Sequence, residues 1–282
     1  VGYVTDMSEM IFNAYSFEGN EDNISNWDTS SVTDMSFMFG YASNFNCDIS
    51  RWNTRSVTNM SFMFCGATQF ESDISNWDTH SVTNMSFMFF NAMKFNKDIN
   101  TSNIRNYYTI DKNKEENKEE DEEENKEKNE EENEEEKEST DHYFFDSWDT
   151  SNVTNMESMF LYASAFNGDI SRWNTSNVTN MKGMFANTDL FENKDINTKE
   201  INDEYTAWDV SSVKNMSEMF RNAKKFNSDI SRWNTSSVTN MSEMFRNASK
   251  FNRDISNWDK TSLTNIDNMF EGATSLEQEH KL

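Results

Sequence analysis

A string of about 25 residues recurs nine times along the 282-residue chain, and this repeat constrains the fold more than any other feature. The tryptophans mark the period, which is 25 residues within each of three runs. The runs are Trp27, Trp52 and Trp77; Trp148 and Trp173; and Trp208, Trp233 and Trp258. A fixed period of about 20 to 50 residues is typical of stacked units, each of which buries its apolar side only against its neighbours. The sequence therefore predicts a stack of repeats.

Each repeat contains two segments with different patterns. Apolar residues between Val32 and Phe45 follow offsets of 0, 3, 6, 7, 10 and 13, which is helical spacing. The segment from Asp48 to Thr54 is rich in β-branched and aromatic residues and has the length of a short strand. We therefore expect an α/β repeat solenoid of about nine coils, each with a short strand in a parallel sheet and a short helix.

Identical apolar residues recur at the same position of successive repeats, so we expect them to stack in the interior. One Phe and one Ile from each repeat would form two such ladders. The Phe ladder comprises Phe39, Phe64, Phe89, Phe160, Phe185, Phe220, Phe245 and Phe270, and the Ile ladder comprises Ile49, Ile74, Ile99, Ile170, Ile196, Ile230 and Ile255.

Two insertions interrupt the period after the same residues, D-I-N-T, at 98–101 and at 195–198. Since a position that accepts extra chain twice must tolerate solvent, we expect this side of the repeat to be exposed. The resulting division is repeats at 1–101, an acidic insertion at 102–145, and repeats at 146–282 with a short insertion near 199–207, all in one continuous solenoid.

The larger insertion is strongly acidic. Between Asp111 and Asp141, eighteen Asp and Glu face six Lys, a net charge of −12 out of −25 for the chain. The stretch from Lys112 to Glu138 has no apolar residue to bury, so it is predicted to be disordered or a solvated helix. The overall negative charge argues against a nucleic-acid partner, which requires a basic surface.

The pattern F-N-x-D-I-S-x-W-[DN]-T-S-x-V-T-N-M-x-x-M-F-x-x-A resembles the repeat of BspA-like leucine-rich-repeat surface proteins. This resemblance covers nearly the whole chain outside the two insertions. It implies a leucine-rich-repeat-like solenoid that is extracellular or displayed on the cell surface. It also implies a role in adhesion or protein binding without catalysis.

A candidate binding surface lies between the two Met of each repeat. On a helix this position would point about 200° away from the first Met, so its side chain should be exposed. Three successive repeats carry Phe37, Phe62 and Phe87 there, which predicts an exposed apolar stripe for a partner. The alternative is that these rings lie flat over neighbouring Met side chains.

Catalytic chemistry finds little support in the sequence. The three histidines, His80, His142 and His280, have no metal-ligand spacing, and no phosphate-binding loop or nucleophile motif is present. We therefore expect no catalytic residues, no metal and no cofactor. Asp and Asn rows beside Ile and Trp could form a calcium ladder, but capping of turns is the favoured interpretation.

The two cysteines, Cys47 and Cys65, occupy different repeat positions and are predicted to be thiols outside any disulfide. No stretch reaches the about 20 apolar residues that a transmembrane helix needs. We expect a non-enzymatic protein that binds a surface protein or glycan. The alternatives are end-to-end assembly of the chain with itself into a fibre or sheath, and ice or mineral binding through Thr and Asp rows.

Overall fold

The computed structural model describes residues 4–19, 24–101, 106–111, 140–145, 147–192, 194–201 and 205–282. Within them, nine repeats follow one another in register, and each is joined to the next by a single parallel β-bridge. We number the repeats one to nine by their bridge residues: Asp6, Asp34, Asn59, Asn84, Asn155, Asn180, Asn215, Asn240 and Asn265.

The predicted α/β solenoid, with a leucine-rich-repeat-like strand and helix in each coil, is wrong. In the second repeat, residues 32–45 form turns and residues 48–54 form no strand. The corresponding described segments of the other repeats follow the same course, and the parallel contacts between repeats are isolated bridges instead of a sheet.

Regular elements occur mainly in the insertions. Strands β1 (Asn106–Asp111) and β2 (Thr140–Phe145) pair antiparallel, with Asn106 opposite Phe145. Strands β3 (Lys199–Glu200) and β4 (Thr206–Ala207) form a second antiparallel pair, and a 3-10 helix covers Gln278–His280. Each insertion therefore contributes one antiparallel pair of strands. Our prediction for the acidic stretch at 112–138 lies outside the described residues.

Left-handed backbone explains why the expected helix does not form. In repeat two, Phe37 and Tyr41 have φ of 55° and 58°. The amide of Met38 donates to the carbonyl of Met35 at 3.2 Å, so Phe37 is the third residue of a reverse turn. This combination is the signature of a type II turn, whereas a right-handed helix needs φ near about −60° throughout.

These two left-handed positions recur in all nine repeats. The first is occupied by Glu9, Phe37, Phe62, Phe87, Ser158, Gly183, Glu218, Glu243 and Asn268. The second is occupied by Asn13, Tyr41, Gly66, Asn91, Tyr162, Asn187, Asn222, Asn247 and Gly272. The repeat is thus built from turns whose geometry is set by the backbone, while the residue type at the first position varies widely.

Alternate backbone amides of the turn segment bond to the next repeat. The amide of Phe37 donates to the carbonyl of Ser61 at 3.0 Å, and that of Phe39 to Met63 at 2.9 Å. The amides that alternate with these bond within their own repeat and close turns. The amide of Gly40, for example, donates to the carbonyl of Phe37 at 2.8 Å. Because its backbone amides find acceptors either within the repeat or in the next repeat, the segment can be buried without regular secondary structure.

The predicted Phe ladder is confirmed. Phe39 and Phe64 stack with ring centroids 5.7 Å apart and an angle of 6° between the rings, and contacts of this kind continue to Phe270. The Ile side chains of the second ladder are all buried in the same core. Burying a side chain of this size contributes about 1.5 to 3 kcal/mol, so the core positions carry the stability of the stack.

The tryptophans of successive repeats also stack, as Trp52 and Trp77 do with ring centroids 6.5 Å apart, and hydrogen bonds connect this Trp ladder to the Ile ladder. Indole Nε1 of Trp52 donates to the carbonyl of Ile24 at 2.8 Å, and Trp77 bonds to Ile49 at 3.2 Å in the same way. Equivalent bonds are made by Trp148, Trp173, Trp208, Trp233 and Trp258. A buried indole N–H requires an acceptor, and the repeat spacing of Ile and Trp supplies one.

Candidate partner-binding surface

The structure places Phe37, Phe62 and Phe87 together at the first left-handed position of repeats two to four. Their side chains are half-buried instead of fully exposed. Phe62 stacks on Phe37 with centroids 4.3 Å apart and on Phe87 with centroids 4.5 Å apart, at angles of 6° and 5°. The rings therefore pack against one another and form a continuous ridge.

Further aromatic rings extend this ridge at both ends. Phe12 contacts Phe37 edge to face at 5.6 Å, and Tyr41 contacts Phe12 at 5.9 Å. At the other end, Phe90 lies 6.1 Å from Phe87, and Tyr162 lies 6.0 Å from Phe90. We call this set the aromatic strip: Phe12, Phe37, Tyr41, Phe62, Phe87, Phe90 and Tyr162.

Sequence reasoning missed four members of the strip because they occupy other positions of the repeat. Phe12 and Phe90 follow the first left-handed residue by three positions, and Tyr41 and Tyr162 follow it by four. The two tyrosines are also the only bulky residues at the second left-handed position, where Asn or Gly otherwise stands. An aromatic residue at a position that favours Asn or Gly was the available signal.

The ring at the centre of the strip has only its edge open to solvent. Phe62 has a stacked neighbour on each face, so only its edge remains for a partner. The outer rings are more open, since Tyr41 is 39% exposed and Tyr162 is 48% exposed. The edge of an aromatic ring carries partial positive charge and contacts carbonyl oxygens or the faces of other rings favourably.

The strip contains no charged group near neutral pH. A hydrogen bond with the Cys65 thiol is the main cause of the raised pKa of Tyr41, helped by interaction with the thiolate charge and by burial. Burial raises the pKa of Cys65, although the Tyr41 hydrogen bond partly opposes this. Cys65 and Cys47 are buried and form no disulfide, as predicted.

The same surface of repeats seven to nine carries ion pairs. Glu218 accepts a bond from Arg221 at 2.9 Å, and Arg221 lies 3.3 Å from Glu243 of the next repeat. Glu243 also pairs with Arg246 at 3.1 Å, and Arg246 reaches Glu271 at 3.1 Å. We call these five residues the ionic ladder. Glu218 and Glu243 occupy the position that holds Phe in repeats two to four, and Arg221, Arg246 and Glu271 stand three residues after that position in their repeats.

The Asp and Asn rows cap turns, as the favoured interpretation predicted. The Oδ1 atom of Asp48, before Ile49, accepts the amide of Ser50 at 2.9 Å, and that of Asn53, after Trp52, accepts the amide of Arg55 at 3.1 Å. The backbone bond from Ser50, followed by the bond from its hydroxyl, lowers the pKa of Asp48. Each capping residue thus satisfies the amide two positions ahead.

One group of potential metal ligands occurs in the described residues. Glu277, Glu279 and His280 place ligand atoms within 4.8 Å of one another on an exposed surface. Asn252 already bonds to Glu277 at 3.2 Å and to the ring of His280 at 3.0 Å. We therefore assign no metal site to this cluster.

Helices that could cross a bilayer, being both long and apolar enough, do not occur within the described ranges. Neither curated proteins nor solved structures provided a match to this chain. A family described as Mycoplasma protein of unknown function, DUF285, matches residues 5–126, 137–203 and 195–282. These segments cover nearly the whole length, the repeats included, and the chain therefore belongs to this family.

Proposed function

We propose that this protein is a non-enzymatic binding protein that attaches to another protein through the aromatic strip. The observation that carries the proposal is the chain of ring contacts from Tyr41 to Tyr162, which brings seven aromatic residues of five repeats to one surface. A contiguous apolar surface on an otherwise polar chain is typical of an interaction site.

Ring geometry favours a protein partner over a glycan. A sugar ring packs its apolar face against the open face of an aromatic side chain, but both faces of Phe62 are covered by its neighbours. The exposed edges suit carbonyl groups, aromatic faces and apolar side chains of a protein. Tyr41 and Tyr162 add hydroxyl groups at the ends, which is a common composition for protein interfaces.

The proposed site of action is the outside of the cell. The resemblance of the repeat to BspA-like surface proteins supports a secreted or surface-attached adhesion protein. Such a protein would use its stack of repeats to display the strip, without catalytic residues or a cofactor.

A triple substitution tests this function. Phe37→Ser, Phe62→Ser and Phe87→Ser introduce the residue that repeat five carries at the same position, so the backbone geometry is compatible. Labelled wild-type protein should bind one or more members of a panel of immobilised extracellular proteins, and the triple variant should bind them at least about tenfold more weakly. The matched control replaces Glu218 and Glu243 with Ser and should bind normally.

Two outcomes would contradict the proposal. The first is binding of wild-type protein to immobilised glycans alone, and the second is equal binding by wild-type and triple variant. Thermal unfolding curves of each variant, recorded by circular dichroism, test whether the repeats remain folded.

Assembly of the chain with itself is the alternative, and one observation favours it. In repeat eight, the amides of Met241 and Glu243 donate to repeat nine. The equivalent amides of Ile266 and Asn268 have no acceptor among the described residues. Backbone amides without a partner can pair with another chain. Multi-angle light scattering over a range of concentrations would show polymers if this alternative holds and a monomer if it does not.

A further inference from the structure

A pocket of about 390 Å³ lies beside the β3–β4 hairpin, far along the chain from the aromatic strip. The residues that line it stand near the Asp-Ile pairs that precede the tryptophans of successive repeats. The charged residues that line it are Lys194, Asp195, Lys199, Asp229, Arg232 and Arg253. Four cations against two carboxylates make this pocket net positive in a chain whose formal charge is −25.

The two carboxylates are already engaged. Asp195 pairs with Lys199 at 3.2 Å. Asp229 accepts the amide of Ser231 at 3.0 Å. Burial alone would raise the pKa of Asp229, but the hydrogen bonds from Ser231 and the charges of Arg253 and Arg232 lower it. Asp229 therefore stays ionised near neutral pH, and its charge interacts favourably with those of the two arginines.

Three cations remain available for a ligand. Within the described part of the chain, Lys194, Arg232 and Arg253 have no carboxylate within the 4.0 Å of an ion pair. Cationic side chains gathered around a concave surface create a positive potential that attracts an anion. The guanidinium groups can also bind an oxyanion through two parallel hydrogen bonds each.

Hydrogen bonds between repeats fix the walls of the pocket. Nε of Arg253 donates to the carbonyl of Asn227 at 2.8 Å, which positions its guanidinium group. The amide of Arg232 donates to the side chain of Asn197 at 2.9 Å. The amide of Lys194 donates to the hydroxyl of Ser228 at 2.8 Å, and Ser228 itself is buried. A site held in place before binding loses less conformational entropy when the ligand arrives.

We propose that this pocket binds an oxyanion, namely a sulfate, phosphate or carboxylate group, with Arg232, Arg253 and Lys194 as its ligands. The proposal is independent of the partner-binding function, because the aromatic strip lies in repeats one to five, whereas the residues that line the pocket follow the bridge residues of repeats six, seven and eight. The oxyanion can be a free ion or a group on a larger molecule such as an acidic sugar, and the chemistry of recognition is the same.

Isothermal titration calorimetry at low ionic strength provides the test, with four probes: inorganic sulfate, inorganic phosphate, sialic acid and a sulfated disaccharide. Wild-type protein should bind at least one probe saturably with one site. The double variant Arg232→Gln and Arg253→Gln should weaken that binding at least tenfold. The matched control is Arg51→Gln, which removes the exposed arginine at the equivalent position of an N-terminal repeat.

The comparison of probes identifies the source of the oxyanion. Binding of inorganic sulfate or phosphate as tightly as the sugars supports a site for a free ion, and binding of a sugar at least tenfold more tightly supports an acidic glycan. The proposal is overturned if no probe binds saturably, or if the double variant binds as well as wild type. Lys194→Gln serves as a second variant should the double variant unfold, and it should also weaken binding.

Measuring each set of variants in both binding assays distinguishes this proposal from the proposed function. The pocket variants should bind the extracellular protein panel normally, and the triple Phe variant should bind the oxyanion normally. Failure of one proposal therefore leaves the other intact.

Discussion

Repeats two to four and repeats seven and eight have the same backbone but different surfaces at the same position. Phe37, Phe62 and Phe87 stack on one another in the first group, whereas Glu218 and Glu243 join arginines in the second. All five residues have φ between 54° and 59°. The comparison teaches that hydrogen bonds between repeats fix the left-handed turn and leave the outward side chain free to vary.

The two surfaces should differ in how much they stabilise the fold. Each ring stack removes apolar area from water and adds about 0.5 to 1.5 kcal/mol beyond that burial. Ion pairs at partly exposed positions contribute only about 0 to 1 kcal/mol each and weaken with salt. The aromatic strip is therefore expected to stabilise its repeats more than the ionic ladder does, although both have the same core beneath them.

The largest effect on the free energy of unfolding is expected in the buried core, which is the same in the two regions. Phe64→Ala and Phe220→Ala both remove a fully buried ring from the Phe ladder. Each should lower the free energy of unfolding by about 3 to 5 kcal/mol, because the apolar ring is no longer buried and a cavity remains in its place. Chemical denaturation measures both. A large loss in one region and a small loss in the other would show that the cores differ as well as the surfaces.

A smaller effect is expected at the left-handed position itself. Phe62→Ala should cost about 1 to 3 kcal/mol through lost stacking, whereas Glu243→Ala should cost less than about 1 kcal/mol. Glycine is the matched replacement, since it adopts positive φ without strain. Phe62→Gly and Glu243→Gly should each be about 0.5 to 1 kcal/mol more stable than the Ala variants. Alanine variants that equal or exceed the glycine variants in stability would contradict the assigned backbone.

Of the two surfaces, only the ionic ladder should be weakened by salt. A double-mutant cycle with Arg221→Gln and Glu243→Gln should give a coupling energy of about 0.2 to 1 kcal/mol at low ionic strength and close to zero in about 1 M NaCl. The equivalent cycle with Phe62→Ser and Phe87→Ser should keep its coupling in salt, because the ring stack carries no charge. Loss of both couplings in salt would remove the distinction between the two surfaces.

The smallest effect is expected from pH and concerns the turns that both regions share. The lowered pKa of Asp48 means that its contribution to stability is complete above the unfolded-state pKa of about 3.9 and is lost as pH falls through the lower folded-state value. Denaturant unfolding at pH 3 and pH 7 should show this loss. Asp48→Asn should reduce the difference between the two pH values, and Asn53→Asp should increase it.

Sequence reasoning predicted the ladders because the period alone places equivalent residues next to each other. Phe39 and Phe64 stack whether the segment between them is a helix or a set of turns. The turn-capping role of Asp48 was predictable for the same kind of local reason, since Asp bonds to the amide two residues ahead in many contexts. These predictions depend on spacing and on local chemistry, and both are visible in the sequence.

The helix could not be rejected from apolar spacing, because a run of turns also returns side chains to the core every three or four residues. Phe37 and Glu243 give no indication of a positive φ by their chemistry. A signal was present four residues later, where seven of the nine repeats have Asn or Gly at a left-handed position. Residues of these two types tolerate that conformation, so their recurrence was evidence for turns.

The candidate surface was only partly predictable. Phe37, Phe62 and Phe87 share one repeat position, so their proximity followed from the period. Phe12 and Tyr162 join them from other positions, and only the course of the backbone through the turns brings these rings together. The β1–β2 hairpin was missed because the neighbouring acidic composition dominated the interpretation of the insertion.

The point at which both insertions leave the repeats has a practical consequence for protein engineering. The hydroxyls of Thr101 and Thr198 bond to the carbonyls of Trp148 and Trp208, each at 2.9 Å, and so hold together the two ends of the added chain. The amides of these two tryptophans bond to the tryptophan of the preceding repeat instead of closing the usual turn. An epitope or enzyme spliced in before the Trp of another repeat, with Thr at its start, should be displayed without shifting any downstream repeat out of alignment.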